Sequence, residues 1–432
     1  MTDGKSQTAE ENSAAEAKAD ARAAFRYPAF VNFQLARFSI VFATEMQAVA
    51  VGWQVYEITK RPLDLGLVGL AQFLPTFLLF LLSGHAADSF NRRKLMIVCD
   101  FGFAICFSLL LAITLRGQVS IAAIYFVLVM LGITRAFNGP VTRALFPQLV
   151  PPEHFASSVA WASTFWQAAT ILGPVFGGLI YAFFERAFGH SAGPVAVYSA
   201  ALLAATVAIV LTLRIPAQEK PRARPSRELA DVFEGFRYIW REKLVLGAIS
   251  LDLFAVLLGG AVALLPVFAR EILETGPWGL GILRGAPGVG AAVMAIAIAH
   301  NPLKKNAGAT MLWCVAGFGL FTVLFGISRN LVLSMAALLL VGATDMVSVI
   351  VRATLIQMQT PDEMRGRVNA VDMIFIGASN ELGQFESGLT AHWFGTVPAV
   401  ILGGIGAIVV TGLWAWMFPE LRKVNQLLLK ED

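Results

Sequence analysis

The sequence predicts an all-α membrane protein of twelve transmembrane helices arranged as two six-helix pseudo-repeats. Three observations lead there. Hydrophobic residues make up 57% of the 432-residue chain and charged residues only 14%, with a mean hydropathy of +0.67. So much apolar surface cannot be hidden inside a water-soluble globule. The apolar residues gather in runs of ~20 or more, and at ~1.5 Å per residue such a run crosses a hydrocarbon layer of ~30 Å. The second half of the chain also repeats the first at a shift of 209 residues (352 − 143). At that shift Arg143 and Ala144 fall on Arg352 and Ala353, Gln148 on Gln357, Pro152 on Pro361, Glu153 on Asp362 and Val159 on Val368.

In chain order, residues 1–28 are polar and rich in Ala, Glu and Lys. They lack the basic start, short apolar core and small-residue cleavage site of a signal peptide, and read as a disordered cytoplasmic tail. The N-terminal half, 29–214, carries spans at 30–56, 63–87, 95–115, 119–141, 155–184 and 194–213. The interval 215–243 is a cytoplasmic linker: Arg214 to Lys243 contains Pro216, Pro221, Pro225 and eight Lys/Arg, the longest polar interruption in the chain. Residues 229–240 within it have the pattern of an amphipathic helix on a membrane surface. The C-terminal half, 244–418, carries spans at 244–268, 278–299, 308–327, 331–356, 368–394 and 397–418, and residues 419–432 form a second cytoplasmic tail. Cations at Arg92, Arg93 and Lys94, at Lys304 and Lys305, and at Arg365 and Arg367 fall in alternate loops, which places those loops and both termini on the cytoplasmic side.

Composition also excludes several functions. The net charge of +4 comes from short loops, where topology explains it, so no nucleic-acid partner is implied. Cys99, Cys106 and Cys314 lie inside apolar runs without metal-ligand spacing and read as small core residues. The five histidines are scattered, with no H-E-x-x-H and no His/Cys pair, so no metal and no enzyme chemistry is expected. There is no G-x-x-x-x-G-K-[ST] loop, and the linker is too short for an ATPase domain.

The charged hinge Gly84-His-Ala-Ala-Asp88-Ser-Phe-Asn91-Arg92-Arg93-Lys94 joins the second and third spans. Positive-inside sorting explains its cations but not its acid. Asp88 therefore reads either as a gating latch that pairs when the cytoplasmic side closes or as loop polarity alone. The hinge resembles the G-x-x-x-D-x-x-G-R-[RK] loop of the major facilitator superfamily, with Asn91 where that family usually has Gly. Asn is the residue next most tolerant of left-handed backbone, so the turn is expected to survive. In the fourth span, Leu131-Gly-Ile-Thr-Arg135-Ala-Phe-Asn138-Gly139 resembles the L-x-x-x-R-x-x-[QN]-G pattern of proton-coupled members. In the fifth, Leu172-Gly173-Pro174-Val175-Phe176-Gly177-Gly178 resembles the Gly-Pro pattern of exporters, and Gly173 and Gly177 also satisfy the small-x-x-x-small rule for close helix packing. Residues 357–369, with Ala36-Arg37-Phe38, resemble a secretion-transporter branch of that superfamily.

The resemblance implies the major facilitator fold, with a substrate site at the interface of the repeats near mid-membrane. Ionisable and amide residues inside spans are site candidates by default. Counting inward from the span ends places Glu381 and Asp345 nearest mid-membrane, with Glu45 in the outer half, Asp252 in the inner half, and Asn380 and Gln384 beside Glu381. Asp372 sits close to the cytoplasmic end and reads as structural. Glu381 is expected to be the proton-coupling carboxylate, with Asp345 its rival and a plain interhelical hydrogen bond the alternative. Arg135 faces either an aqueous cavity or a salt-bridge partner. With a one-residue gap the repeat lays Arg135 on Asp345, which predicts that the two communicate directly or through water. Of Trp53, Trp161, Trp166, Trp393 and Trp414, one or two are expected in a cavity, the others being interface anchors.

The function expected is secondary active, proton-coupled efflux of an amphipathic small molecule, siderophore or drug-like, by alternating access. The alternatives are a non-transporting receptor or scaffold on the same fold, an importer or a lipid flippase. No cofactor is expected beyond a proton gradient. The expected partners are the small-molecule substrate and the bilayer, and the expected form is a monomer in a bacterial inner membrane.

Overall fold

A computed structural model describes residues 22–117, 119–216, 228–301 and 306–424. Among these residues the regular structure is helical, without strands. The first half contains α1 (Pro28–Thr59), α2 (Pro62–Leu78), α3 (Phe80–Ser89), α4 (Arg92–Leu115), α5 (Ile121–Leu145), α6 (Phe155–Phe188) and α7 (Ala192–Leu213). The linker contributes α8 (Glu228–Arg241). The second half contains α9 (Lys243–Gly259), α10 (Gly276–His300), α11 (Ala307–Ile327), α12 (Leu331–Gln359), α13 (Asp362–Phe394) and α14 (Thr396–Met417). Ten helical segments are long and apolar enough to cross a membrane, and α2 with α3 forms an eleventh, bent by 53°. The span expected at 368–394 lies in α13, whose 33 residues reach ~50 Å at ~1.5 Å each; its charged and amide residues keep it from counting as apolar.

The repeat is visible in the packing. In the first half α1 packs on α6 and α7, α4 on α5 and α7, and α2 on α5. In the second half α9 packs on α13 and α14, α11 on α12 and α14, and α10 on α12, so each pairing has its counterpart. The halves meet mainly where α2 crosses α13 and α6 crosses α10, which is again one contact repeated with the halves exchanged. Outward faces carry large exposed apolar residues such as Phe183, Trp313, Val332 and Trp416, as lipid-facing surfaces require. The end bearing Arg92, Arg93, Lys94, Arg365 and Arg367 is called here the basic end, and the opposite one the far end.

Both crossings close through glycine in the far half of the bundle. A Cβ on Gly178 would lie 2.5 Å from the Pro277 carbonyl oxygen, and one on Gly281 2.5 Å from that of Pro174. At the other crossing, a Cβ on Gly388 would lie 2.8 Å from the Gly66 backbone. Backbones this close leave no room for a side chain. Gly178→Leu is therefore expected to cost ~1–3 kcal/mol as overpacking and to lever the far end open. Spin labels at Arg61 and Glu274 should report a longer mean distance in the variant, whereas superimposable distributions would show that the crossing absorbs the side chain.

Four expectations need correction. The span expected at 63–87 breaks after Leu78, three residues beyond the helix-internal Pro75. The span expected at 244–268 ends as α-helix at Gly259 and continues through a 3₁₀ turn (Ala261–Leu264), a single α turn around Pro266 (Leu265–Val267) and a π turn (Phe268–Ile272). Gly260 lies at that break against the backbone of Gly383, 3.0 Å from a Cβ placed on it. The tail expected to be disordered is ordered at its end: Ala23–Arg26 forms a 3₁₀ turn with Ala24 buried, and the Phe25 ring meets Trp161 edge-on at 4.7 Å. The expected linker helix forms, but it docks on α13 through Arg367–Glu234 (2.8 Å) and a Phe236–Phe375 stack at 5.9 Å. The remaining parts of the tails (1–21 and 425–432), the linker stretch 217–227 and the loop cations Lys304 and Lys305 lie outside the described residues.

Candidate substrate and coupling site

The far end is closed by polar ties as well as by glycine. Arg270 and Glu271 project from the π turn toward the end of α1, where Arg270 meets Glu57 at 3.4 Å and Tyr56 donates a hydrogen bond to Glu271 at 2.5 Å. The Arg270 guanidinium also lies over the Trp53 ring, 5.3 Å from its centroid. Glu57, Glu185 and His190 bring possible ligand atoms within 4.8 Å of one another there, a grouping that the sequence reading, which expected no metal, did not find; Glu57 is already held by Arg270.

The hinge that marks the basic end mostly staples the first half together. Arg92 donates to the carbonyls of Ala87 (3.3 Å) and Ala144 (3.1 Å), and Arg93 to those of Thr212 (3.5 Å) and Leu213 (2.6 Å), capping the C-termini of α3, α5 and α7. Asp88 meets Arg92 at 3.9 Å and is largely exposed, with no partner from the second half among the described residues. Gly84 and Asp88 are helical, inside α3. The expectation for Asn91 is corrected: its φ of −63° and ψ of 115° are extended, not left-handed, and its side chain accepts the Lys94 N–H at 3.1 Å. Asn therefore stands there as an N-cap, a role glycine fills without a side-chain bond.

Two cavities open from the interior, one in each half. In the first half, a cavity of about 210 Å³ is lined by Arg37, Thr44, Glu45, Asp100, Arg135, Asn138, Arg143 and Trp166, from α1, α4, α5 and α6. In the second, a cavity of about 310 Å³ is lined by Asp252, Asp345, Arg352, Asn380 and Gln384, with the broken backbone at Gly259 to Val262 forming part of its wall. Irregular backbone is tolerated at membrane depth where it borders such a cavity. Here Arg352 is held between Asp252 (3.3 Å) and Asp372 (2.8 Å), its side chain only 4% exposed. Asp345 lies within electrostatic reach of Asp252 and Arg352.

A third, more apolar space of about 500 Å³ lies between α2, α3, α5 and α13, lined by Phe73, Phe77, Leu81, Met373 and the linker's Phe233. Arg135 and Glu381 are its charged members. Arg135 donates to Gln72 at 3.1 Å, and Gln384 donates to Glu381 at 3.2 Å. Glu381 is within electrostatic reach of Arg135, of Arg284 on α10 and of Glu45. Arg284 and Glu45 face each other across the halves at 3.8 Å. Glu381, Gln384, Arg135 and Glu45 thus converge where the halves meet, whereas Asp252 and Asp345 belong to the second-half cavity. Asn380 turns back to donate to the Ile376 carbonyl at 2.8 Å. Arg135 and Asp345 form no direct pair among the described residues: Arg135 donates to Gln72 and lies in reach of Glu381, whereas Asp345 lies in reach of Asp252 and Arg352.

Within the Gly-Pro motif, Gly173 and Gly177 receive α1, where added Cβ atoms would lie 2.6 Å from the Glu45 Cβ and 2.9 Å from Met46. Gly178 and the Pro174 carbonyl receive α10. The motif therefore seats α1 beside Glu45 and supplies half of the far-end closure at once. Of the tryptophans, Trp166 lines the first cavity. Trp53 is buried at the far end, Trp161 packs on Phe25, Trp393 is exposed, and Trp414 donates to Ser250 at 2.9 Å. Sequence reasoning missed Asp100, Arg284 and the Glu57–Arg270 tie. For the first two the available signal was a charge inside an apolar run.

Comparison with known proteins agrees with this architecture. A family model described as transmembrane secretion effector matches residues 19–430. The enterobactin exporter EntS of Shigella boydii serotype 18 is 25% identical over 405 residues, covering 93% of this chain and 94% of its own. EntS of Escherichia coli O157:H7 matches to the same extent, 25% over 405 residues. Among solved structures, a bacterial homologue of the human lysosomal transporter Spinster, inward-facing and occupied, superposes with a TM-score of 0.70 at 14% identity, over 92% of this chain and 98% of that one. A bacterial homologue of the iron transporter ferroportin in an inward-facing state gives 0.68 at 16% identity, over 90% and 98%. At such identities the structural likeness speaks for the fold alone.

Proposed function

We propose, from the premise that this chain belongs to the transmembrane secretion effector family of the major facilitator superfamily, that it exports an amphipathic small molecule in exchange for protons. The basic end is then cytoplasmic by positive-inside sorting, and the closed far end supports reading this state as the inward-facing arm of an alternating-access cycle. The observation that carries the reading is Glu381, an acid set where the halves meet, in reach of Arg135, Arg284 and Glu45. A carboxylate there neutralises cations contributed by both halves; a proton on it frees them. That change alters the electrostatic cost of bringing the halves together, which is what a coupling ion must do.

The far-end ties supply the complementary gate, and Asp88, without a second-half partner among the described residues, is an acid available to latch the basic end when it closes. Export rather than uptake is supported by what the EntS relatives are named for. A siderophore-like or drug-like molecule fits the mixture of aromatic lining and isolated charges. Reconstituted protein in liposomes, loaded with a fluorescent amphipathic dye such as ethidium or with a catecholate siderophore, should move its cargo faster under an imposed pH gradient than without one. Equal flux with and without the gradient would refute proton coupling, and binding without flux would reassign the chain to the receptor class.

A further inference from the structure

Arg143 and Arg352 occupy the same place in the two repeats, yet their surroundings differ in kind. Arg352 is buried and pinned by two carboxylates, Asp252 and Asp372. Arg143 is exposed to the first-half cavity and has no carboxylate partner among the described residues. Its charged neighbour is Arg37, a second cation near enough to repel it. Arg37 likewise has no acid; its guanidinium rests on the Trp166 ring, 5.0 Å from the centroid. The carboxylates of the same cavity are engaged or set apart: Glu45 faces Arg284 at 3.8 Å, and Asp100 accepts from Thr212 at 2.7 Å. Two like charges held together in a cavity between membrane helices are costly unless an anion joins them.

We propose that Arg37 and Arg143 form an anion-receiving subsite, and that the transported molecule is an organic anion carrying an aromatic ring beside its charged group. Two guanidiniums present the paired N–H donors that suit a carboxylate, a phosphate or a catecholate oxygen pair. Trp166, 46% exposed on the cavity wall, supplies a flat apolar surface for the adjoining ring. Thr44 and Asn138, which line the same cavity, add neutral hydrogen-bonding groups. The matching place in the second half offers no such site, because Arg352 is already neutralised by Asp252 and Asp372. The proposal rests on the export reading for the word transported, but the subsite itself is an equilibrium binding property.

The test uses the full-length chain and two probes of one shape, 1-naphthoate and its uncharged counterpart 1-naphthamide, titrated by calorimetry. Wild type is expected to bind naphthoate at least about tenfold more tightly than naphthamide, and Arg143→Gln and Arg37→Gln to erase most of that difference, as the loss of a charge-assisted pair requires. Arg143→Lys, which keeps the charge but not the fork, should retain part of it and guards against a folding artefact. Equal affinity for the two probes, no naphthoate binding by wild type, or full binding by both glutamine variants would overturn the subsite. So would abolition of naphthoate binding in nanodiscs of anionic lipid but not of zwitterionic lipid, which would assign the arginines to a headgroup. Because nothing in this assay depends on flux, its failure leaves the export reading standing, and failure of flux leaves the subsite standing.

Discussion

Glu381→Gln is expected to leave the protein folded and able to bind its cargo while reducing pH-gradient-driven flux to the level of protein-free liposomes. The glutamine keeps the size of the side chain and an oxygen that can still accept from Gln384. It cannot take up or release a proton. Near Arg135, Arg284 and Glu45 the substitution mimics the protonated state permanently, so the step that depends on deprotonation is lost. Counterflow of substrate between two pools at equal pH needs no net proton movement, and it should persist. Asp345→Asn serves as the parallel measurement, because Asp345 lines the second-half cavity at similar depth. Proton-driven flux of Glu381→Gln equal to that of wild type would make Glu381 a packing residue and move the search to Asp345.

The largest expected effect on stability is at Arg352. Its guanidinium is 4% exposed and its partner Asp252 8% exposed, so Arg352→Gln strands two acids in a low-dielectric interior. Breaking a buried pair from one side typically costs ~3–5 kcal/mol, far more than an exposed ion pair is worth. Denaturant or thermal unfolding of the purified variant should show a loss in that range. Adding Asp252→Asn and Asp372→Asn should recover most of it, since a neutral hydrogen-bonded cluster avoids the stranded charge. A loss below ~1 kcal/mol in the single variant would mean that the triad merely breaks even against its desolvation.

Much of the architecture was legible because membrane helices are written in long runs and loops in charge. The helical spans, the linker helix and the two-fold repeat followed from hydropathy, positive residues and a single offset. The breaks were marked but not measurable: Pro75 and the Gly259-Gly260 pair are visible in the sequence, yet neither states that the chain bends by 53° or passes into a π turn. Glu381 could be found by depth alone. Arg135 and Glu45 were candidates too, but their gathering around Glu381 with Arg284 could not be read, since the three come from three other helices and no spacing links them. A direct pair between Arg135 and Asp345 is not present in this state, and the repeat alone does not require one.

The glycine crossings have a mechanical consequence. Most helix interfaces interlock side chains, so separating them means disengaging knobs from holes and letting rotamers change. At Gly178–Gly281 and Gly66–Gly388 one smooth backbone rests on another. Such a joint behaves like a plain bearing: it fixes where the halves touch but offers little resistance to sliding or parting. The threshold for opening the far end is then concentrated in its rim, in Glu57–Arg270 and Tyr56–Glu271, and the helices behind it act as levers rather than as locks.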